Sequence, residues 1–265
     1  MIRPLATTDL PAAVGLLEIA GLGGAKANLG RYLRCQPRCG WAAIRDGALA
    51  GIVTVLHQGR VAFVGAMAVH PDHRGAGIGR ALLEHAQAEA RRAGIVTFLL
   101  EATPHGAHLY RRLGYVPEHE TLILQRAGAV ASIAARIASS DHAAIATLDR
   151  IATGTVRDDM LADLLAEDGP GATIHVHREA VGAGLVIGER LGPVLATHVD
   201  VGRALVDRLA PACRVVTIPE PNQPALAAVA SHGFREARRL RRMRLGPAVP
   251  VRTDWVWALA SPGAG

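Results

Sequence analysis

Seven consecutive residues, Arg74-Gly75-Ala76-Gly77-Ile78-Gly79-Arg80, carry the clearest chemistry in this chain. An apolar run ends before them at Val69, and Pro71 breaks it. After them comes ALLEHAQAEA, whose Leu82, Leu83, Ala86 and Ala90 recur with the period of a helix. Glycines here permit tight backbone turns and close approach by a ligand. The first amides of a helix have no partner inside it, and the helix dipole favours an anion at that end. Arg74 and Arg80 add positive charge. The guest suited to such a loop is a phosphate or pyrophosphate.

Other phosphate-binding loops fit less well. A P-loop needs lysine and then serine or threonine after its last glycine, whereas the chain reads Gly79-Arg80-Ala81. A dinucleotide fingerprint is GxGxxG placed directly after its strand. Here the spacing is GxGxG, and HPDHR intervenes. Glu101, at the end of the next apolar run, stands where a ribose-binding acid would lie, so that reading stays open at this point. So does a glycine-rich turn with no ligand.

The loop needs elements to hold it. The start reads as a short strand at Ile2 to Arg3, then a helix from Asp9 to Ala20, a turn at GLGG and a helix from Ala25 to Cys35. WAAIRDGALAGIVTVLHQGRVAFVGAMAV predicts three strands broken at Asp46-Gly47 and Gln58-Gly59. A helix from Ile78 to Ala93 follows, ended by Gly94, and then the strand VTFLLEA. HGAHLYRRLGY predicts a short helix ending at Gly114. Strands at Tyr115 to Val116 and Thr121 to Leu124 would close a first unit at residues 1–126.

The second half echoes the first. Glu101, Gly114 and Tyr115 match Glu220, Gly233 and Phe234 at one constant offset, and GRALLEHA from Gly79 resembles GRALVDRLA from Gly202. Two matched segments in the same order predict a tandem repeat. The expected plan is two α/β domains, each a mixed, mostly antiparallel sheet flanked by helices, at 1–126 and 127–246, with a strand or tail at 247–265. AGAVAS reads as the joint, RRLRRMRL as a strand with arginines on its wet side, and SPGAG as a disordered end.

Composition sets the bounds. Apolar residues make up 50%, enough for a sizeable core, but aromatics are only 3%, so that core rests on Ala, Val, Leu and Ile. Formal charge is +6 and almost wholly arginine, Lys26 being the only lysine. No zinc-finger spacing or RNA-binding aromatic motif accompanies it, so nucleic acid is not the expected partner. Cys35, Cys39 and Cys213 complete no metal site and no disulfide framework. No apolar stretch reaches the length of a membrane span, and the expected compartment is the cytoplasm.

With RGAGIG after MAVHP, and LYRRLGY downstream, the sequence resembles the GCN5-related N-acetyltransferase superfamily. In that superfamily the loop Gln/Arg-x-x-Gly-x-Gly/Ala binds the coenzyme A pyrophosphate, and Arg74, Gly77 and Gly79 fill its defined positions. LLEATPHGAHLYRRLGY and EPNQPALAAVASHGF together resemble the bacterial group with two such domains. The resemblance implies acetyl-CoA as acyl donor, bound by Arg74, Gly75, Ala76, Gly77, Ile78, Gly79 and Arg80. It implies that strand Gly65 to Val69 splays from Val96 to Leu100. Backbone at Met67, Ala68 and Val69 would then hold the pantetheine arm and polarise the acyl carbonyl.

By the same resemblance, Tyr110 would stand beside the departing sulfur, as acid or as hydrogen-bond donor to the thiolate. The base is drawn from Glu101, His70, His105 and His57, Glu101 also being suited to an ammonium. The implied reaction is direct attack by a primary amine, on a small molecule or a protein, with no metal and no acyl-enzyme. A non-catalytic acyl-CoA sensor and a protein-interaction module are the alternatives, and a homodimer is compatible. The second copy reads as silent. THVDVG stands opposite RGAGIG and loses two glycines, Asp200 brings the wrong charge, and Val229 falls opposite Tyr110. That copy is expected to shape the acceptor cleft, complete a shared sheet or pair subunits. Trp255 and Trp257 fit an edge strand or a contact surface, or ordinary packing.

Overall fold

The computed structural model describes residues 1–22, 26–134, 136–138, 141–167 and 169–263. Gly23 and Gly24 of the GLGG turn, and the last two residues of SPGAG, lie outside that set.

The first half runs β1 (Ile2–Pro4), α1 (Leu10–Ile19), α2 (Lys26–Cys35), β2 (Gly40–Arg45), β3 (Ala48–Gln58), β4 (Val61–Val69), α3 (Ile78–Arg92), β5 (Thr97–Ala102), α4 (Ala107–Arg112) and β6 (Val116–Gln125). The second runs α5 (His142–Thr153), α6 (Asp158–Ala166), β7 (Gly171–Val176), β8 (Glu179–Ile187), β9 (Arg190–Ala196), α7 (Val199–Leu209), β10 (Val215–Pro219), α8 (Gln223–Ser231), β11 (Arg235–Leu245) and β12 (Val256–Ala258). From two helices onward the halves share one order. Helix pair, antiparallel three-stranded meander, helix, parallel strand, short helix and final strand appear in each.

The hairpin turns form where the sequence places them. Asp46 at φ +51° and Gly47 at +79° close β2 onto β3, and Gly59 at +73° begins the turn into β4. Helix α3 packs on β2, β3 and β4 and buries Leu82, Leu83, Ala86 and Ala90, the stripe its period predicts.

The two halves do not close separately. All strands join one sheet in the order β1-β2-β3-β4-β5-β11-β6-β10-β9-β8-β7, with β12 paired to β9 off that path. The final strands are exchanged. β11, from the second half, lies beside β5 of the first (Arg242↔Glu101, Leu245↔Phe98). β6, from the first half, lies beside β10 of the second (Leu124↔Val216, Leu122↔Ile218). β6 and β11 pair with each other antiparallel at the centre. The expectation that β6 closes the first unit on itself therefore fails. A strand pattern specifies which face is buried, not which neighbour supplies the hydrogen bonds.

Two further expectations change. The arginine-rich segment is a strand as expected, but it lies at the centre of the sheet and its charges meet carboxylates rather than water alone. Arg241 pairs with Glu120, Arg242 with Glu101, Arg244 with Glu118, and Arg239 with Glu220 and Glu236. Residues 261–263 of the terminal segment are packed on the fold. Ser261 is buried, and its hydroxyl meets that of Tyr32 at 2.9 Å.

Candidate acyl-donor cleft

Gly75 and Gly77 take φ +79° and +76°, the left-handed region that L side chains rarely enter. Gly77 is the N-cap of α3 in that conformation. A Cβ on either would meet nothing within 4 Å, so these glycines serve the backbone turn and leave open space above it. Gly79 differs. A Cβ there would stand 3.2 Å from Met67 Cε and 3.5 Å from Val69 Cγ2, so this glycine lets α3 close on β4.

The first backbone bond of this corner runs from Ala81 N to Gly77 O, 3.0 Å. Among the described residues, the amides from Gly75 to Arg80 have no backbone acceptor. Arg74 Nε donates to Val69 O at 3.3 Å, which ties the start of the loop to the end of β4. Arg80 pairs with Glu84 at 2.8 Å on the exposed helix surface.

β4 and β5 are parallel and pair from Val61↔Thr97 to Val64↔Leu100, where the ladder stops. Thr54 faces Gly65 and Ile52 faces Ala68, so Val53 opposes both Ala66 and Met67. That extra residue is a β-bulge, and Ala66 sits in it at φ +43°. The bulge bends β4 away from β5. Beyond Val64 the edge of β4 that faced β5 has lost its ladder. The expected splay at Gly65 to Val69 is present.

Between the diverging strands opens a cleft of about 1030 Å³. Met67, Ala68, Val69, Arg74, Gly75, Gly77, Ile78, Gly79 and Arg80 all line it, as do Tyr110 and Glu101. Ala76 and His70 do not. His70 caps the short 3-10 turn Pro71–His73 instead, its Nδ1 accepting from Asp72 N at 3.3 Å. Of the other histidines, His105 lines the cleft. His57 lies in a separate pocket, and burial lowers its pKa.

Tyr110 projects from α4, with its ring 5.5 Å from that of Tyr115. Its hydroxyl makes no hydrogen bond among the described residues. Burial raises the phenol above its ordinary pKa, which keeps it protonated. Glu101 has a fully buried carboxyl, with Oε1 3.3 Å from Arg242 Nη1. Burial pushes its pKa up, against the pull of Arg242 and His119. Thr121 also pulls that pKa down, and among the described residues Arg242 Nε has no hydrogen-bond partner but lies 3.7 Å from Glu118 Oε2.

Several lining residues carry no local signature in the sequence. Tyr32 comes from α2, Ile123 from β6, Arg190 from β9, and Arg238 and Leu240 from β11. Ser261 to Gly263 form a further wall, close enough that a Cβ on Gly65 would lie 2.6 Å from Gly263 O. The strand exchange brings in Ile123, Arg238 and Leu240.

The equivalent corner of the second half is filled. β9 and β10 are parallel at Arg190↔Val215 and Leu191↔Val216 and then part. β12 enters that gap, pairing Val256↔Leu195 and Ala258↔Val194 on β9. Leu259 N then donates to Thr217 O of β10 at 2.8 Å. Asn222 Nδ2 holds the incoming segment through the carbonyls of Thr253, Asp254 and Val256 at 3.0–3.3 Å. Trp257 is 1% exposed, and its ring lies where a Cβ on Gly202 would be only 2.0 Å away. Packing is therefore what this tryptophan does. Val229, opposite Tyr110 in the repeat, is wholly buried.

Models of the Acetyltransferase (GNAT) domain match the chain twice, at residues 36–117 and 145–258. No curated protein matches the sequence. Among solved structures, a provisionally named acetyltransferase from Pyrococcus horikoshii superposes at TM-score 0.86 and 20% identity, over 100% of this chain and 95% of that one. A GCN5-related N-acetyltransferase from Sphaerobacter thermophilus gives 0.68 at 17% identity, over 95% and 98%. A tandem GNAT protein of the clavulanic acid biosynthesis pathway gives 0.61 at 18%, over 94% and 99%. At such identities the likeness is one of fold. No described helix is long and apolar enough to cross a membrane.

Proposed function

The chain belongs to the GCN5-related N-acetyltransferase superfamily, with two of its domains in tandem, and from that premise we propose that its first half binds acetyl-CoA and passes the acetyl group directly to a primary amine. The observation that carries this reading is the coincidence of two features in one cleft. A left-handed glycine corner with free helix-start amides sits at one end, and a bulged strand with an unpaired edge forms the adjoining wall.

The residues present fit the donor. Amides from Gly75 to Arg80, with Arg74, suit a pyrophosphate. The free edge of β4 around Met67, Ala68 and Val69 offers amides and carbonyls to an extended amide-bearing arm, as a neighbouring strand would. Acetyl-CoA supplies an activated thioester. A fixed β4 amide stabilises the oxyanion that attack on its carbonyl creates. Tyr110, held protonated by burial, donates to the leaving sulfur. Glu101 receives the amine's proton, directly or through one water, because burial has moved its pKa towards the working pH. His70, engaged as a turn cap, takes no part. The free cysteines stand apart from this chemistry and support a reducing compartment, the cytoplasm.

The test is release of free CoA from acetyl-CoA across an amine panel, for wild type and Tyr110→Phe. Amine-dependent release that falls in the variant supports the reading. Tight acetyl-CoA binding without turnover on any amine would make the protein a sensor instead.

A further inference from the structure

The acceptor end of the same cleft carries positive charge that the protein does not neutralise. Arg190 and Arg238 line it. Arg190 donates to Thr217 Oγ1 at 2.7 Å, and Arg238 to the carbonyl of Gly21 at 3.3 Å. Among the described residues neither has a carboxylate partner. This sets them apart from their neighbours, since Arg239, Arg241, Arg242 and Arg244 all have one. Burial also lowers the pKa of Arg190, marking a guanidinium that has left water without a counter-ion. A desolvated cation is costly unless an anion meets it.

The register puts both groups on one face of the sheet. Arg238 lies opposite Ile123, Ile123 opposite Thr217, and Val215, two residues before Thr217, opposite Arg190. Arg242, which holds Glu101, lies on that face four residues along β11, about 13 Å from Arg238. Among the described residues Glu101, already paired, is the only carboxylate lining the cleft.

Resting on the acyl-transfer reading, we propose that the acceptor is an anionic amine. Its amino group lies towards Glu101, and its carboxylate or phosphate, several bonds away, is held by Arg190 and Arg238. The second domain would then supply the specificity of the first, since β9 and β11 both belong to it.

The experiment is a calorimetric titration under saturating CoA, which keeps the probes off the glycine loop. 6-Aminohexanoate and β-alanine are each compared with their own amides, and O-phosphoethanolamine with ethanolamine. The expected result is that at least one anion binds about tenfold or more tighter than its neutral partner. The pair that discriminates assigns carboxylate or phosphate. Arg190→Gln or Arg238→Gln should erase that preference, Arg190→Lys should restore part of it, and CoA affinity should stay unchanged in all three. Anions that bind no better than their neutral partners overturn the proposal, as does Arg190→Gln retaining the full preference in a protein that melts like wild type. Failure of the wild type to bind CoA at all strikes the acyl-transfer reading instead. The same titrations without CoA then judge the anion site on the difference between wild type and Arg190→Gln.

Discussion

The two halves of this molecule build the same gap and use it in opposite ways. Between β4 and β5 the gap is open, lined by a bulged strand edge and a glycine corner. Between β9 and β10 it is occupied by β12 and Leu259. Gly79 and Gly202 hold corresponding places at the start of α3 and α7, and in each the missing Cβ lets something come close. At Gly79 it is the body of β4, beneath a loop that stays open. At Gly202 it is the ring of Trp257. A fold that parts two parallel strands leaves unsatisfied backbone and apolar wall, and either a ligand or the chain itself must cover them. In the second half that cover is its own chain.

The largest effect is expected where the plug is deepest. Trp257→Ala should lower stability by about 3–5 kcal/mol, the usual cost of emptying a large aromatic site, read by chemical denaturation. It should gain no acetyl-CoA binding, because THVDVG lacks the glycines of the open loop. A variant that bound a second acetyl-CoA would break the comparison. In the open half, Tyr110→Phe should lower kcat about 10²-fold with little change in KM for acetyl-CoA. A kcat that Tyr110→Phe leaves unchanged would show that the hydroxyl does not set the rate.

Glu101→Gln tests the base through pH. The raised pKa puts the acid limb of the wild-type profile above the ordinary carboxylate range, with activity lost as pH falls through it. The variant should be slower and should lack that limb. A limb that survives the substitution belongs to another group. Smallest is Ser261→Ala, which removes the hydroxyl meeting Tyr32 and should cost about 1 kcal/mol.

What the sequence discloses follows how local each feature is. The loop, α3 and the hairpin turns are legible because glycine positions and apolar period act within a few residues. The repeat is legible because two segments keep one order and nearly one offset. The exchange of β6 and β11 is not, since pairing partners 90 or more residues apart leave no mark on either strand. Arg190 stands alone in its segment and Arg238 is one of several arginines in RRLRRMRL, and only the shared sheet gives the two a common face. TDWVWAL shows a strand-like alternation but does not say which gap that strand enters. The tail SPGAG reads as disordered because its anchor, Tyr32, lies far away in sequence.

The most direct test of this account is calorimetric titration of acetyl-CoA into wild type and Gly77→Asp. The account requires one site per chain in the wild type and none in the variant, whose new side chain would be both strained at φ +76° and wrongly charged for a pyrophosphate. Two sites per chain, or binding that survives in a folded Gly77→Asp protein, would contradict it.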